Sequence, residues 1–149
     1  MKNLNKKGFT LVELLAVIAI LAILMLLVTP NILSMFTEGR KDAFVTQVQS
    51  VWRAAEQQYM TKSFSGTAST VFTNLDTSTD NDISFGSTDI KYYVSFDGNG
   101  NVAKIGVSDN NYCYFANSGA KINLSASDVS SDNDGKTLSE SSGTLSCAE

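Results

Sequence analysis

The stretch that decides the fold is residues 6–36, KKGFTLVELLAVIAILAILMLLVTPNILSMF. Its apolar run from Phe9 to Val28 is interrupted only by Thr10 and Glu13. Twenty residues of helix span about 30 Å, the thickness of the hydrocarbon core of a bilayer. Because apolar side chains surround such a helix on every side, it must lie in lipid or among other apolar helices. Three lysines precede the run and predict that its N-terminal end stays in the cytoplasm: Lys2, Lys6 and Lys7.

Glu13 is the one charged side chain in this apolar run. A carboxylate in a membrane helix is costly and is expected to have a partner, but Phe9–Val28 contains no cation. If the chain were cut after Gly8, the new amine of Phe9 would be a cation in the right layer. That amine cannot easily reach Glu13 of its own helix, whereas the amine of a neighbouring copy could reach it. The pattern therefore predicts a subunit that assembles with copies of itself.

The motif GFTLVE at residues 8–13 resembles the class III signal of type IV pilins and pseudopilins. The resemblance implies that a membrane prepilin peptidase cuts between Gly8 and Phe9 and N-methylates Phe9. It also implies that Glu13 pairs with the Phe9 amine of an adjacent subunit as a filament forms. Pro30, the only proline in the chain, lies where pilins commonly carry one. Because proline removes a helical hydrogen bond, we expect a kink there.

Two simpler interpretations of the same segment fit less well. A secretory signal peptide would have a small-residue cleavage site after its apolar core. Thr29-Pro30-Asn31 is a poor site of that kind. A simple single-span anchor would need neither Glu13 nor the Gly8–Phe9 junction.

The composition beyond residue 60 changes from helix formers to Ser, Thr, Asn, Asp and Gly. Removing the three leader lysines from the 11 basic residues leaves 8 against 15 acidic ones, a net charge of −7. This acidity opposes general binding to nucleic acid. The chain has no histidine, and it shows no nucleophile–base pair or phosphate-binding loop. We therefore predict neither an enzyme nor a cofactor.

Residues 31–62 are predicted to form an amphipathic helix that continues from the membrane segment. Its apolar residues recur at steps of three and four and form a stripe. The stripe ends with a lysine whose aliphatic stem can cover apolar surface: Phe44, Val48, Val51, Ala55, Tyr59 and Lys62. The charged cluster Arg40–Asp42 precedes the stripe, either as a solvated helical turn or as a source of salt bridges between stacked subunits. Residues 63–89 are predicted to form a long surface loop, anchored by Val71-Phe72 and by residues 83–85.

Residues 90–116 are predicted to form a three-stranded antiparallel meander. Apolar and polar residues alternate from Ile90 to Phe96, and the Asp97–Gly100 segment is a strong hairpin signal. A second turn at Asn110-Asn111 leads to a third strand. The apolar face of this sheet should pack on the helical stripe. The predicted fold class is α+β and pilin-like, with a long N-terminal helix packed on a small antiparallel sheet.

The tail, residues 117–149, has few apolar residues and is not expected to be ordered by packing alone. The two cysteines, Cys113 and Cys147, allow one pairing, and outside the membrane such a bond would persist. Two free thiols are the alternative. A disulfide there would resemble the C-terminal disulfide-bounded region of many pilins.

The acidic segment from Asp128 to Asp134 fails the EF-hand pattern, because the twelfth position would be Ser141 instead of Glu. We predict no metal site of that kind. A calcium site of another type stays open as an alternative.

These features predict a chain with six parts. They are a leader (1–8), a filament-core helix (9–30), an amphipathic helix (31–62), a loop (63–89), a β-meander (90–116) and a disulfide-bounded region (117–149). We predict a major pilin, stored in the cytoplasmic membrane and then assembled into an extracellular pilus. Its implied partners are copies of itself, the prepilin peptidase, a platform membrane protein and an assembly ATPase. The alternatives are a minor pilin or pseudopilin of a type II secretion or DNA-uptake system, and a membrane-anchored binding module.

Overall fold

The computed structural model describes residues 8–67, 69–75, 83 and 89–149, except for the side chains of Pro30 and Asn31. The chain divides into two units, an N-terminal unit that ends at Glu38 and a C-terminal unit, Gly39–Glu149. Helix α1 (Leu11–Phe64) contributes residues to both units. It is followed by β1 (Val71–Thr73), β2 (Lys91–Phe96), β3 (Val102–Ser108), β4 (Cys113–Ala116), β5 (Thr137–Ser141) and β6 (Thr144–Ala148). Two short 3₁₀ turns, Ala126–Asp128 and Ser131–Asn133, lie between β4 and β5.

The C-terminal unit contains an antiparallel sheet in the order β1-β2-β3-β4. Strands β2 to β4 form the predicted meander. The hairpin between β2 and β3 closes where the Asp97 N–H donates to the Asn101 carbonyl at 2.8 Å. Gly100 adopts a φ of 84°, which glycine tolerates better than residues with a Cβ. The predicted α+β architecture is confirmed.

The apolar stripe of α1 packs into the core of this unit. Phe44, Val48, Val51 and Ala55 are all buried, together with the neighbouring Val45 and Trp52. Near the end of the helix, the Tyr59 ring stacks on Phe96 with their centroids 4.4 Å apart. The Lys62 ammonium lies 5.5 Å from the centre of the Phe72 ring, so its charged end also contacts the apolar layer.

The long loop contributes an additional strand to the sheet. Phe72, one of its predicted anchors, is buried in β1, which pairs with β2. Ile83 is also buried, while residues 84 and 85 of the second predicted anchor lie outside the described part of the chain.

The tail is ordered by a second, two-stranded sheet made of β5 and β6. Its turn, Ser142-Gly143, has a positive φ at both residues, and its two leucines, Leu138 and Leu145, are buried. They lie over Gly106 of β3, where a Cβ would approach the Leu138 side chain to 2.6 Å. The missing side chain of this glycine therefore makes room for the hairpin.

Polar and covalent links complete the attachment of the tail. Cys113 in β4 and Cys147 in β6 form a disulfide bond with their Cα atoms 6.0 Å apart. The side-chain amide of Asn117 donates to the Leu145 carbonyl at 2.9 Å and accepts from the Leu145 N–H at 2.8 Å. Lys41, in the cluster Arg40–Asp42, donates to the Val129 carbonyl at 3.1 Å. This lysine binds the tail of its own chain.

Candidate functional site

The start of α1 brings two of the residues in the GFTLVE motif into direct contact. The backbone N–H and the hydroxyl of Thr10 both donate to Glu13 Oε2, at 2.8 and 2.9 Å. In return, the Glu13 N–H lies 3.3 Å from the Thr10 hydroxyl oxygen, which accepts it. This reciprocal pattern is a capping box, in which the first and fourth residues satisfy N–H groups that the helix itself cannot.

The capping box gives the Glu13 carboxylate a partner within its own chain. Only Oε2 is used, and no donor among the described residues contacts Oε1. One carboxylate oxygen therefore remains available to a cation from another molecule. The sequence contains the signal for this contact, a threonine three residues before a glutamate at the start of an apolar run. The Thr10–Glu13 contact is therefore one that sequence reasoning missed.

The predicted cleavage point lies immediately before this cap. Phe9 is 90% exposed, and a Cβ added at Gly8 would meet no atom within 4 Å. No described residue covers the Gly8–Phe9 bond, so it is open to solvent or to an enzyme. The leader residues before Gly8, including its three lysines, lie outside the described part of the chain.

The helix that follows presents only exposed side chains among those that the structure describes in its unit. Every described side chain from Gly8 to Glu38 is exposed, including those of fourteen large apolar residues between Leu11 and Val28. Leu11–Thr29, 19 residues long, is the one segment of the described chain that is long and apolar enough to cross a membrane. The helix is assigned without a break through position 30, and a kink at Pro30 stays a prediction.

Comparison with known families concerns this same segment. Residues 3–29 match the family model described as the prokaryotic N-terminal methylation motif. This segment is the class III signal of type IV pilins and pseudopilins. The signal implies processing by a prepilin peptidase and assembly into filaments. It does not distinguish a major pilin from a minor pilin or a pseudopilin. No curated protein and no solved structure significantly matches the chain.

In the part of the chain that the structure describes, the other charged segments show no comparable site. Within the described residues, no three acidic, cysteine or histidine side chains are grouped so that they could hold a metal ion. The Asp128 carboxylate accepts from the N–H and the hydroxyl of Ser125 at 2.8 and 3.0 Å. These hydrogen bonds, the backbone one first, lower the pKa of Asp128. This aspartate caps a 3₁₀ turn. The acidic cluster at residues 80–82 lies outside the described part of the chain.

Proposed function

We propose that this protein is the major subunit of a type IV pilus, cut between Gly8 and Phe9 and polymerised through its N-terminal helix. One observation carries the proposal. The class III signal is followed by a helix whose large apolar side chains are all exposed in a single copy. In the membrane, lipid covers these side chains. In a filament, the helices of other copies would cover them instead, and packing between those helices would hold the polymer together.

Glu13 sets the register of assembly in this proposal. After cleavage, the Phe9 amine of an adjacent copy supplies the cation that the apolar segment lacks. Glu13 Oε1 is free to accept it, while Oε2 stays bound to Thr10. The contact can therefore form without breaking the helix cap. A charge-assisted hydrogen bond away from water is stronger than a neutral one. A misplaced subunit would lose this bond and leave the Glu13 carboxylate without its cation, so misplacement would cost free energy.

The C-terminal unit would form the outside of the filament. Its surface is rich in Ser, Thr, Asn and Asp, and its last strand is held by one disulfide. These features suit an exterior exposed to an oxidising medium. In this proposal the protein lies in the cytoplasmic membrane before assembly and in the extracellular pilus afterwards. A platform protein and an assembly ATPase build the filament.

The variant Glu13→Ala tests the role of the carboxylate. We expect the variant to be inserted and cut after Gly8 as usual, but to yield few or no filaments in the fraction sheared from cells. Glu38→Ala, which removes an exposed glutamate from the same helix, is the matched control and should assemble normally. Normal filament yield from Glu13→Ala would refute the proposed pairing. Loss of cleavage in that variant would assign Glu13 to processing instead.

The abundance of the protein separates the major-pilin proposal from its nearest alternative. A major pilin should dominate the sheared fibres. A minor pilin or pseudopilin, of a secretion or DNA-uptake system, would be processed identically but found there only in traces.

A further inference from the structure

The apolar surface of α1 extends past the segment that the core of a bilayer can cover. Leu11–Thr29 is 19 residues long, and a helix of that length spans about 28 Å. The hydrocarbon core of a bilayer is about 30 Å thick. Four more large apolar side chains follow before the next charged residue, Glu38, and each is exposed: Ile32, Leu33, Met35 and Phe36. We call residues 32–36 the apolar extension.

Tilting the helix does not bring the whole apolar extension into lipid. Membrane helices tilt by about 20° on average, and at that angle the core takes up roughly 21 residues. Counted from Phe9, these residues end close to Thr29. Phe36 lies about 10 Å further along the helix axis than Thr29. In the membrane the apolar extension therefore lies at the level of the lipid headgroups and the water between them.

The apolar extension lacks cover for its apolar side chains and needs no polar partner for the threonines beside it. The Thr29 hydroxyl donates to the Met25 carbonyl at 2.7 Å, and the Thr37 hydroxyl donates to the Leu33 carbonyl at 3.1 Å. Both hydroxyl groups are thus satisfied within the helix. The apolar side chains, in contrast, are 42% to 72% exposed, so no described residue of the same chain buries them.

Two grooves show that the apolar extension continues the surface of the membrane-spanning segment. A groove of about 250 Å³ is lined by Leu21, Leu24, Met25, Val28, Thr29 and Ile32. A second groove, of about 300 Å³, is lined by Ile32, Met35 and Phe36. Because the two grooves share Ile32, a helix that lies along the first can continue along the second. In the proposed filament another copy covers the first groove, and the same copy is then placed to cover the second.

The two parts of this surface gain different amounts of free energy when a filament forms. A side chain that moves from lipid to a protein contact exchanges one apolar surrounding for another, so the hydrophobic gain is small. A side chain that moves from water to a protein contact gains the hydrophobic free energy of the whole area that is buried. Along this helix, burial of the apolar extension therefore favours the filament over the membrane more than burial of the spanning segment does.

We propose that the apolar extension is a contact site for a second copy of this chain, and that its burial supplies the main hydrophobic gain on leaving the membrane. This inference rests on the proposed function and assigns a contact within it. The spanning segment is covered both in the membrane and in the filament. Leu33, Met35 and Phe36 are covered only in the filament.

Thiol labelling tests whether the surroundings of the apolar extension change on assembly. The two native cysteines are bonded to each other, so a cysteine introduced elsewhere is the one free thiol. Met35→Cys should react with a water-soluble maleimide in isolated membrane fragments, and at least tenfold more slowly in sheared filaments. Leu21→Cys, within the spanning segment, is the control and should be unreactive in both fractions.

Removal of an aromatic ring tests whether the contact favours assembly. Phe36→Ala should be inserted and cut after Gly8 as usual, and should lower the filament yield at least tenfold. Phe64→Ala is the matched control, because Phe64 is 93% exposed on the same helix but lies outside the apolar extension. It should give the normal yield. The fluorescence of Trp52, a core residue, reports whether both variants are folded.

Three outcomes would overturn this inference while leaving the proposed function intact. Equal labelling of Met35→Cys in membranes and filaments would show that no copy covers the apolar extension. Absence of labelling in membranes would show that lipid or another membrane protein already covers it. A normal filament yield from folded Phe36→Ala would show that burial of the ring does not favour assembly. If the unmodified chain formed no filaments, the proposed function itself would be refuted, and this inference with it.

Discussion

The two units of this chain use apolar residues in opposite ways. In the N-terminal unit, every described side chain is exposed, and the apolar ones surround the helix. In the C-terminal unit, most apolar side chains of α1 lie on a stripe that is buried against the sheet, and only Met60 and Phe64, near the end of the helix, are large apolar residues that stay exposed among those described. The first pattern is stable only in lipid or among other helices, and the second is satisfied within one chain. This contrast is what allows one helix to serve both the proposed polymer and the folded domain.

The largest expected effect comes from removing an aromatic ring from the buried core of the C-terminal unit. Phe72→Ala should destabilise the C-terminal unit by about 3–5 kcal/mol, because Phe72 is 0% exposed and the variant leaves a cavity. The measurement is denaturant unfolding of the full chain in micelles, followed by the fluorescence of Trp52, the only tryptophan.

Phe36→Ala is the matched variant in the N-terminal unit. Phe36 is 64% exposed and belongs to the N-terminal unit, so its loss should leave the Trp52 transition within about 0.5 kcal/mol of the unmodified chain. Equal destabilisation by the two variants would contradict the account that apolar side chains are exposed in the N-terminal unit and buried in the C-terminal unit.

The disulfide is the next largest contribution to the C-terminal unit. The bond closes a loop with a sequence separation of 34 residues, and in the chain-entropy model this stabilises by about 3–4 kcal/mol. The double variant Cys113→Ser/Cys147→Ser should lower the unfolding free energy by that amount, measured by the same fluorescence transition.

Reduction of the unmodified chain supplies the control for this prediction. Reduced protein and the double variant should unfold at similar denaturant concentrations. An unchanged midpoint in both would mean that the tail is held by Leu138, Leu145 and its hydrogen bonds without help from the bond.

The smallest expected effect is a pH dependence from the β2–β3 hairpin. Hydrogen bonds to Asp97, first from the Asn101 backbone and then from its side chain, hold the pKa of this carboxyl below its ordinary value of 3.8. A lowered folded-state pKa stabilises above the unfolded value, and this stabilisation is lost as the pH falls through the folded value. The unfolding free energy should therefore decrease below about pH 3.8.

Asp97→Asn tests this dependence, because an amide does not titrate. Its unfolding free energy should fall less steeply in acid than that of the unmodified chain. Asp42→Asn is the control, since no described residue donates to the Asp42 carboxylate, and its acid profile should be unchanged. Identical profiles for all three proteins would show that Asp97 does not contribute to the pH dependence of the unfolding free energy.

Much of this fold could be predicted from local patterns. The stripe from Phe44 to Ala55 follows the helical period, and the Asp97–Gly100 turn has the residues that hairpins require. The GFTLVE motif defines the candidate site because a carboxylate in an apolar run is rare enough to carry information. These features depend on neighbours in sequence, which is why sequence reasoning finds them.

The features that the sequence analysis did not predict depend on distant residues. Leu138 and Leu145 are isolated apolar residues in a polar tail, and the space they fill exists only because β3 carries Gly106 beneath them. The cavity lined by Arg40, Gln47 and Asp109 likewise joins a helix to a turn more than sixty residues away. Such juxtapositions follow from the topology of the sheet, and no local pattern encodes them.

The central claim is that the N-terminal unit is cut and then covered by other copies. The most direct test is the intact mass of this protein in the fraction sheared from its native cells. The account predicts an abundant species that begins at Phe9, carries one added methyl group and lacks the two hydrogens lost to the Cys113–Cys147 bond. An abundant species that still begins at Met1, or the absence of the protein from sheared fibres, would contradict the account.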